Sequence, residues 1–142
     1  MMRFAALGSG SRGNALIVAS GQTYVMLDCG FGPRETVRRL ARLDLAPEDL
    51  AGIVVTHEHS DHIAGVFKFA TRHKLKAWMT HGTLAAAPRG ESALPEIGVI
   101  GHHHSFAIGD LQLHPFPVPH DAREPAQFTF SDGQHRLGVL TD

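Results

Sequence analysis

The sequence predicts a mixed α/β (α+β) fold, and three features point to it. The chain opens with short β-type runs separated by glycine and serine. It continues with an apolar Ile53-Val54-Val55 run that leads into apolar residues at helical spacing, and it closes with β-type runs joined in pairs at Gly109-Asp110 and Asp132-Gly133.

In chain order, Arg3 to Leu7 reads as a strand entering Gly8-Ser9-Gly10-Ser11-Arg12-Gly13-Asn14, and Ala15 to Ala19 with Thr23 to Leu27 reads as a hairpin about Ser20-Gly21. Pro33 suits the first turn of a helix that keeps Val37, Leu40, Ala41 and Leu43 or Asp44 at helical spacing, with Arg34, Arg38, Arg39 and Arg42 largely on the other face. A short turn follows at Pro47 to Leu50. Ile53 to Val55 is a buried-type strand, and Ile63, Val66, Phe67 and Ala70 fall at i, i+3, i+4 and i+7, the pattern of one amphipathic helix. Lys76 to Thr80 reads as a strand and Leu84 to Leu94, with Pro88, Gly90 and Pro95 around it, as a loop with a helical turn. Phe106 to Ile108, Leu111 to Phe116, Gln127 to Phe130 and His135 to Leu140 read as strands.

The 142 residues are 43% hydrophobic, enough to core one ordinary domain. Lys+Arg 13 against Asp+Glu 14 gives no global field for nucleic acid or anionic membrane, so a polyanion must be held locally. The apolar part of Met1 to Gly8 is too short for a signal peptide and no stretch approaches a membrane span, which makes the cytoplasm the expected location. A single cysteine, Cys29, excludes an internal disulfide and a thiolate zinc cluster and is read as a small buried residue. No repeat, linker or low-complexity segment interrupts the chain. It stops at Val139-Leu140-Thr141-Asp142, directly after a strand, from which a fragment is expected.

The chemistry concentrates in His57-Glu58-His59-Ser60-Asp61-His62, between the Ile53 strand and the helix after it. With 11 histidines in the chain, H-x-H-x-D-H arises by chance with odds on the order of a few in a thousand. A strand end is rigid, so the turn it launches can project His57 and His59 to one side, with Asp61 and His62 facing a neighbouring position. Imidazole and carboxylate without thiolate suit two divalent ions, zinc first, with manganese or iron as alternatives. Such a pair activates water for hydrolysis. Two plainer readings compete, a polar surface loop and a single structural zinc; the latter is usually a closed, cysteine-containing site.

Outside the motif, His120 and Asp142 follow predicted strands and are candidate partners. Asp28, in Leu27-Asp28-Cys29-Gly30, either caps a turn or accepts hydrogen bonds from the metal loop and fixes its ligands. The run His102-His103-His104 is favoured as a solvated loop, and His73, His81, His114 and His135 as ordinary polar residues. Gly8 to Asn14 has the look of an anion-binding nest but lacks the Lys-Ser/Thr ending of a P-loop.

Val55-Thr56-His57-Glu58-His59-Ser60-Asp61-His62-Ile63-Ala64-Gly65 resembles the signature of the metallo-β-lactamase superfamily, with Asp28 matching its first motif, His120 its third and Thr141-Asp142 its fourth, in order along essentially the whole chain. The resemblance implies an αββα four-layer sandwich. It also implies that His57, His59 and His120 hold one ion, that Asp61 and His62 hold a second, that Asp142 bridges both, and that Asp61 orients the attacking water. Leu7 to Ala15, Leu27 to Gly30 and His120-Asp121-Ala122 look like the YycJ/WalJ-like subgroup, similar to phosphodiesterases and nucleases, to which a DNA exonuclease activity is attributed. His59 stands where the flavo-diiron branch usually has Glu. The family's fifth motif, a final histidine, has no counterpart here, so residues 1–142 are expected to form a single domain of this fold, C-terminally incomplete, its N-terminal half to two-thirds, which could pair as a homodimer.

The function expected is hydrolysis of a phosphodiester, in nucleic acid or a small molecule, from the histidine loop, the subgroup resemblance and basic clusters at Arg34 to Arg42 and Lys68 to Lys76, although such clusters are usually solvated helix faces. A thioester or lactone hydrolase uses a nearly identical metal loop. The third reading is a non-catalytic metal-binding fragment.

Overall fold

Apolar residues on both faces of a strand call for cover on both sides, and the first sheet has it. The computed structural model describes residues 2–88, 94–119 and 121–139. Strands β1 (Met2–Gly8), β2 (Ala15–Ser20), β3 (Thr23–Leu27), β4 (Leu50–Val54), β5 (Ala77–Thr80) and β6 (Ile97–Ile100) lie side by side in that order. β1 to β3 pair antiparallel and β3 to β6 parallel. A second sheet, β7 (Phe106–Ile108), β8 (Leu111–Pro117), β9 (Ala126–Ser131) and β10 (Arg136–Val139), is antiparallel throughout.

The side-chain alternation of each strand divides the core in two. Val25, Leu27 and Val54 turn toward the second sheet and pack with Leu111, Leu113, Phe128 and Phe130. Met26 and Ile53 turn the other way, against helices α1 (Pro33–Ala41), α2 (Ser60–Ile63) and α3 (Val66–His73), where Leu40, Ile63, Val66 and Phe69 meet them. Among the described residues this gives three layers, helices on sheet on sheet, of the four expected. No helix among them is long and apolar enough to cross a membrane.

Several elements differ from the sequence reading for identifiable reasons. The single helix expected over 63–70 is two, α2 and α3, broken at Gly65. A Cβ there would collide with the backbone oxygen of Phe31, and the Gly65 amide donates to Cys29 O at 2.9 Å. Helix α1 buries Thr36 and Leu40 while Val37 is exposed. Thr36 goes inside because its hydroxyl bonds Gly32 O at 2.9 Å, which satisfies the polar group. Arg39 is not on a free polar face: its guanidinium lies 4.0 Å from the Phe31 ring centroid and donates to Leu7 O at 2.6 Å. Helix α4 (His81–Ala86) starts earlier than the expected helical turn, because Thr80 caps it by accepting from Thr83 N. β6 has no forerunner in the sequence reading; its Gly98 lies against the Trp78 ring, leaving no apolar alternation to detect. The hairpin turn after β2 lies at Gly21-Gln22, one residue later than expected.

The Asp132-Gly133 turn carries a carboxylate that accepts from the amides of Gln134 at 2.9 Å and His135 at 2.6 Å, which hold Asp132 down to about 2. A carboxyl lowered on folding supports the folded state above the ordinary aspartate range, about 4, and that support is lost as pH falls through the folded value. The amide resonances of Gln134 and His135 are therefore expected to titrate with a midpoint of about 2. A midpoint at about 4, the unperturbed aspartate value, would contradict the turn geometry.

Candidate metal centre

Parallel strands launch their connections from one sheet edge, and crevices outside those carboxyl ends are where open α/β sheets place their sites. Here Asp28 directly follows β3, and Val55 and Thr56 lead from the end of β4 into the histidine turn. Asp28 adopts the left-handed region (φ 62), which aspartate tolerates better than most residues, while its amide still donates to Val54 O at 2.7 Å. That turn swings its carboxylate under the histidine loop, where it is 1% exposed.

The carboxylate has three donors. Thr56 N reaches Oδ1 at 2.8 Å, Thr56 Oγ1 reaches Oδ2 at 2.8 Å, and His62 Nδ1 lies 2.7 Å from Oδ2. Burial pushes the Asp28 carboxyl up from its ordinary range, against the pull of the hydrogen bond and charge of His62 and of the bonds from Thr56. The sequence left open whether this residue caps a turn or supports the loop; the geometry fits support.

These contacts set two tautomers. The Thr56 hydroxyl has one proton and gives it to Asp28, so toward His57 Nδ1, 2.8 Å away, it is the acceptor, and His57 carries its proton on Nδ1. His62 likewise gives its Nδ1 proton to Asp28. In both rings Nε2 is then the nitrogen whose lone pair can ligate. The His57 ring lies 4.6 Å from His59 and 4.2 Å from His62, centroid to centroid, and His62 Nε2 is 3.6 Å from Asp61 Oδ2. His57 and His62 are buried, whereas Asp61 and His59 are partly open to solvent.

The donor set fits divalent ions, since neutral imidazoles oriented through Nδ1 and a carboxylate oxygen suit zinc, manganese or iron. Among the described residues no group of three such donors stands at the mutual spacing of ligands on one ion. His120 and Asp142, expected to complete the set, lie outside the described residues.

Several residues at the site were not foreseen. Asn14 bonds both the backbone and the carboxylate of Asp61. Gly30 runs so close that a Cβ would strike the Asp61 carbonyl. Glu58 Oε2 accepts from Arg123 N at 3.0 Å, and Thr56 O accepts from Ala126 N at 2.9 Å, fastening the loop before β9 to the motif. The glycines around Asn14 are the available signal in the sequence, where they have only the look of an anion-binding nest.

The other candidates sit apart. His102 Nε2 is 3.1 Å from Pro125 O, while His103 and His104 are exposed as expected. Cys29 is buried, and burial pushes its thiol up to about 11, so it is no nucleophile at neutral pH. In the basic clusters Arg38 and Arg39 pair with Glu35 at 3.4 and 2.8 Å, and Lys76 pairs with Glu96 at 3.6 Å.

A family model described as the metallo-beta-lactamase superfamily matches residues 8–140. The chain is 32% identical over 145 residues to the exodeoxyribonuclease YycJ of Bacillus anthracis, covering 99% of this chain and 54% of that protein. It is 30% identical over 146 residues to the exodeoxyribonuclease WalJ of Streptococcus pneumoniae, with the same coverage of 99% and 54%. The solved Rm3 metallo-beta-lactamase superimposes with a TM-score of 0.74 at 19% identity, over 94% of this chain and 56% of that one, a likeness of fold. The chain thus spans about half the length of the relatives it matches.

Asp28→Asn tests the support directly, because asparagine also tolerates the left-handed backbone. It is expected to keep the fold and to lower affinity for zinc about 10- to 100-fold by isothermal titration, the usual cost of losing a residue that orients a ligand. Unchanged affinity would remove Asp28 from this role.

Proposed function

The chain belongs to the metallo-beta-lactamase superfamily, and we propose that the intact protein is a hydrolase of phosphodiester bonds in DNA that works with two divalent metal ions. The observation that carries this reading is the set of His57, His59, Asp61 and His62 on one turn, with the Nδ1 atoms of His57 and His62 committed to Thr56 and Asp28. The choice of DNA is supported by the 32% identity, over 99% of the chain, to a relative named an exodeoxyribonuclease.

His57 and His59, with His120, would hold one ion; Asp61 and His62 would hold the other, with Asp142 between them. When bound, such ions supply Lewis acidity and bring the pKa of water toward neutrality. The chain's own residues do the remaining work. Asp28 fixes His62 directly and His57 through the Thr56 hydroxyl, so both rings present Nε2 without reorganising. Asp61 accepts a hydrogen bond from the attacking water and aims its oxygen at phosphorus, opposite the sugar oxygen that leaves. The phosphorus–oxygen bond to the leaving sugar breaks as the bond to the water oxygen forms, and one proton of the water ends on the leaving oxygen, giving a phosphomonoester and an alcohol.

The intact protein supplied with zinc or manganese is expected to release nucleotides from linear DNA. His59→Ala is expected to lower that rate by more than the roughly hundredfold that losing a mere support for a ligand costs. Turnover of a thioester or lactone without DNA cleavage, or a His59→Ala variant as active as its parent, would overturn the reading.

A further inference from the structure

The loop Gly8 to Asn14 is a motif of the sequence that the metal reading leaves unused, and its last residue bonds Asp61 through both side chain and backbone. Asn14 Nδ2 donates one hydrogen to Gly10 O at 2.8 Å and turns the other to Asp61, shared between O at 3.1 Å and Oδ2 at 3.2 Å. On the other side of the same amide, Oδ1 accepts from Gly10 N at 3.1 Å. Partners of opposite kind on the two sides fix the amide's orientation, because flipping it would set Oδ1 against two carbonyls and a carboxylate. The backbone joins in: Asn14 N donates to Asp61 O at 2.8 Å, and Gly30 N donates to Asn14 O at 3.0 Å. Asn14 therefore ties together the loop after β1, the turn after β3 and the histidine loop after β4.

Asp61 is where such a tie has most effect. Its side chain is 28% exposed, so burial alone does not hold it, and its carboxylate is the only group on the turn read both as a ligand and as the guide of the water. A mobile carboxylate loses rotamer freedom on taking up an ion; one already held by an amide donor has lost it beforehand. Asn14 Nδ2 is also 3.4 Å from His62 Nε2, so the amide lies beside both groups assigned to the second ion.

We propose that Asn14 is a positioning residue for the second ion, holding the Asp61 carboxylate in the orientation in which it ligates and directs water. This rests on the metal reading above. It predicts a selective effect, confined to the position of Asp61 and His62, because the Asn14 amide bonds Asp61 and lies beside His62 Nε2.

The test is a cobalt titration of the intact protein, followed by the visible absorption of the bound ion, in the parent and in Asn14→Ala and Asn14→Leu. Leucine keeps the branched shape and removes the donor, so loss of volume and loss of the hydrogen bond are separated. Both variants are expected to bind the first cobalt as the parent does and the second about 10- to 100-fold more weakly. Equal weakening of both ions in the two variants would mark a general role in folding, and unchanged binding of both would mark none; either overturns the proposal. Failure of the parent to take up a second cobalt would instead overturn the metal reading, and this inference with it.

Discussion

One buried carboxylate organises this sheet edge. Asp28 leaves β3 in a left-handed conformation and accepts from Thr56 twice and from His62 once, in a place where it is 1% exposed. A carboxylate in such surroundings is costly unless every lone pair is engaged. Its partners are Thr56, just before the histidine turn, and His62, the last residue of that turn. The same bonds that make its burial tolerable therefore decide which nitrogen of His57 and of His62 is offered for ligation.

The rest of the local architecture keeps three connections close enough for that carboxylate to act. β3 and β4 are parallel neighbours, so the turn carrying Asp28 and the turn carrying the histidines leave the sheet side by side. Gly30 passes against the Asp61 carbonyl and Gly65 against the Phe31 carbonyl, approaches that any side chain would prevent. The first of these lets Asn14 and Gly30 hydrogen-bond beside the loop; the second separates α2, which carries Asp61 and His62, from α3. The cores on the two faces of the sheet hold the frame still, with Met26 and Ile53 against the helices and Leu27 and Val54 against the second sheet.

What could be read from the sequence follows from the range of the interactions. His57, His59, Asp61 and His62 form a cluster within six residues, so they could be nominated as candidate ligands without a structure. Asp28 could be nominated but not assigned, because its choice between capping and support depends on Thr56 and His62, 28 and 34 residues away. Asn14 passed as part of a glycine-rich loop for the same reason. Among the elements, the hairpin and the β4 strand were legible from alternation and burial. β6 was not, since Gly98 against Trp78 erases its pattern, and the face of α1 was misjudged because a satisfied threonine goes inside where a valine was expected. The substrate is the least legible feature, because the chain spans about half of the relatives whose names suggest one.

The central claim is that Asp28 and Thr56 commit the Nδ1 atoms of His57 and His62 and leave Nε2 to bind metal. Anomalous diffraction at the zinc edge from crystals of the intact protein tests it most directly. The account predicts zinc about 2.0–2.1 Å from Nε2 of each ring, with Nδ1 of His57 still on Thr56 and Nδ1 of His62 still on Asp28. Zinc bound through Nδ1, or at positions that do not involve this turn, would contradict it.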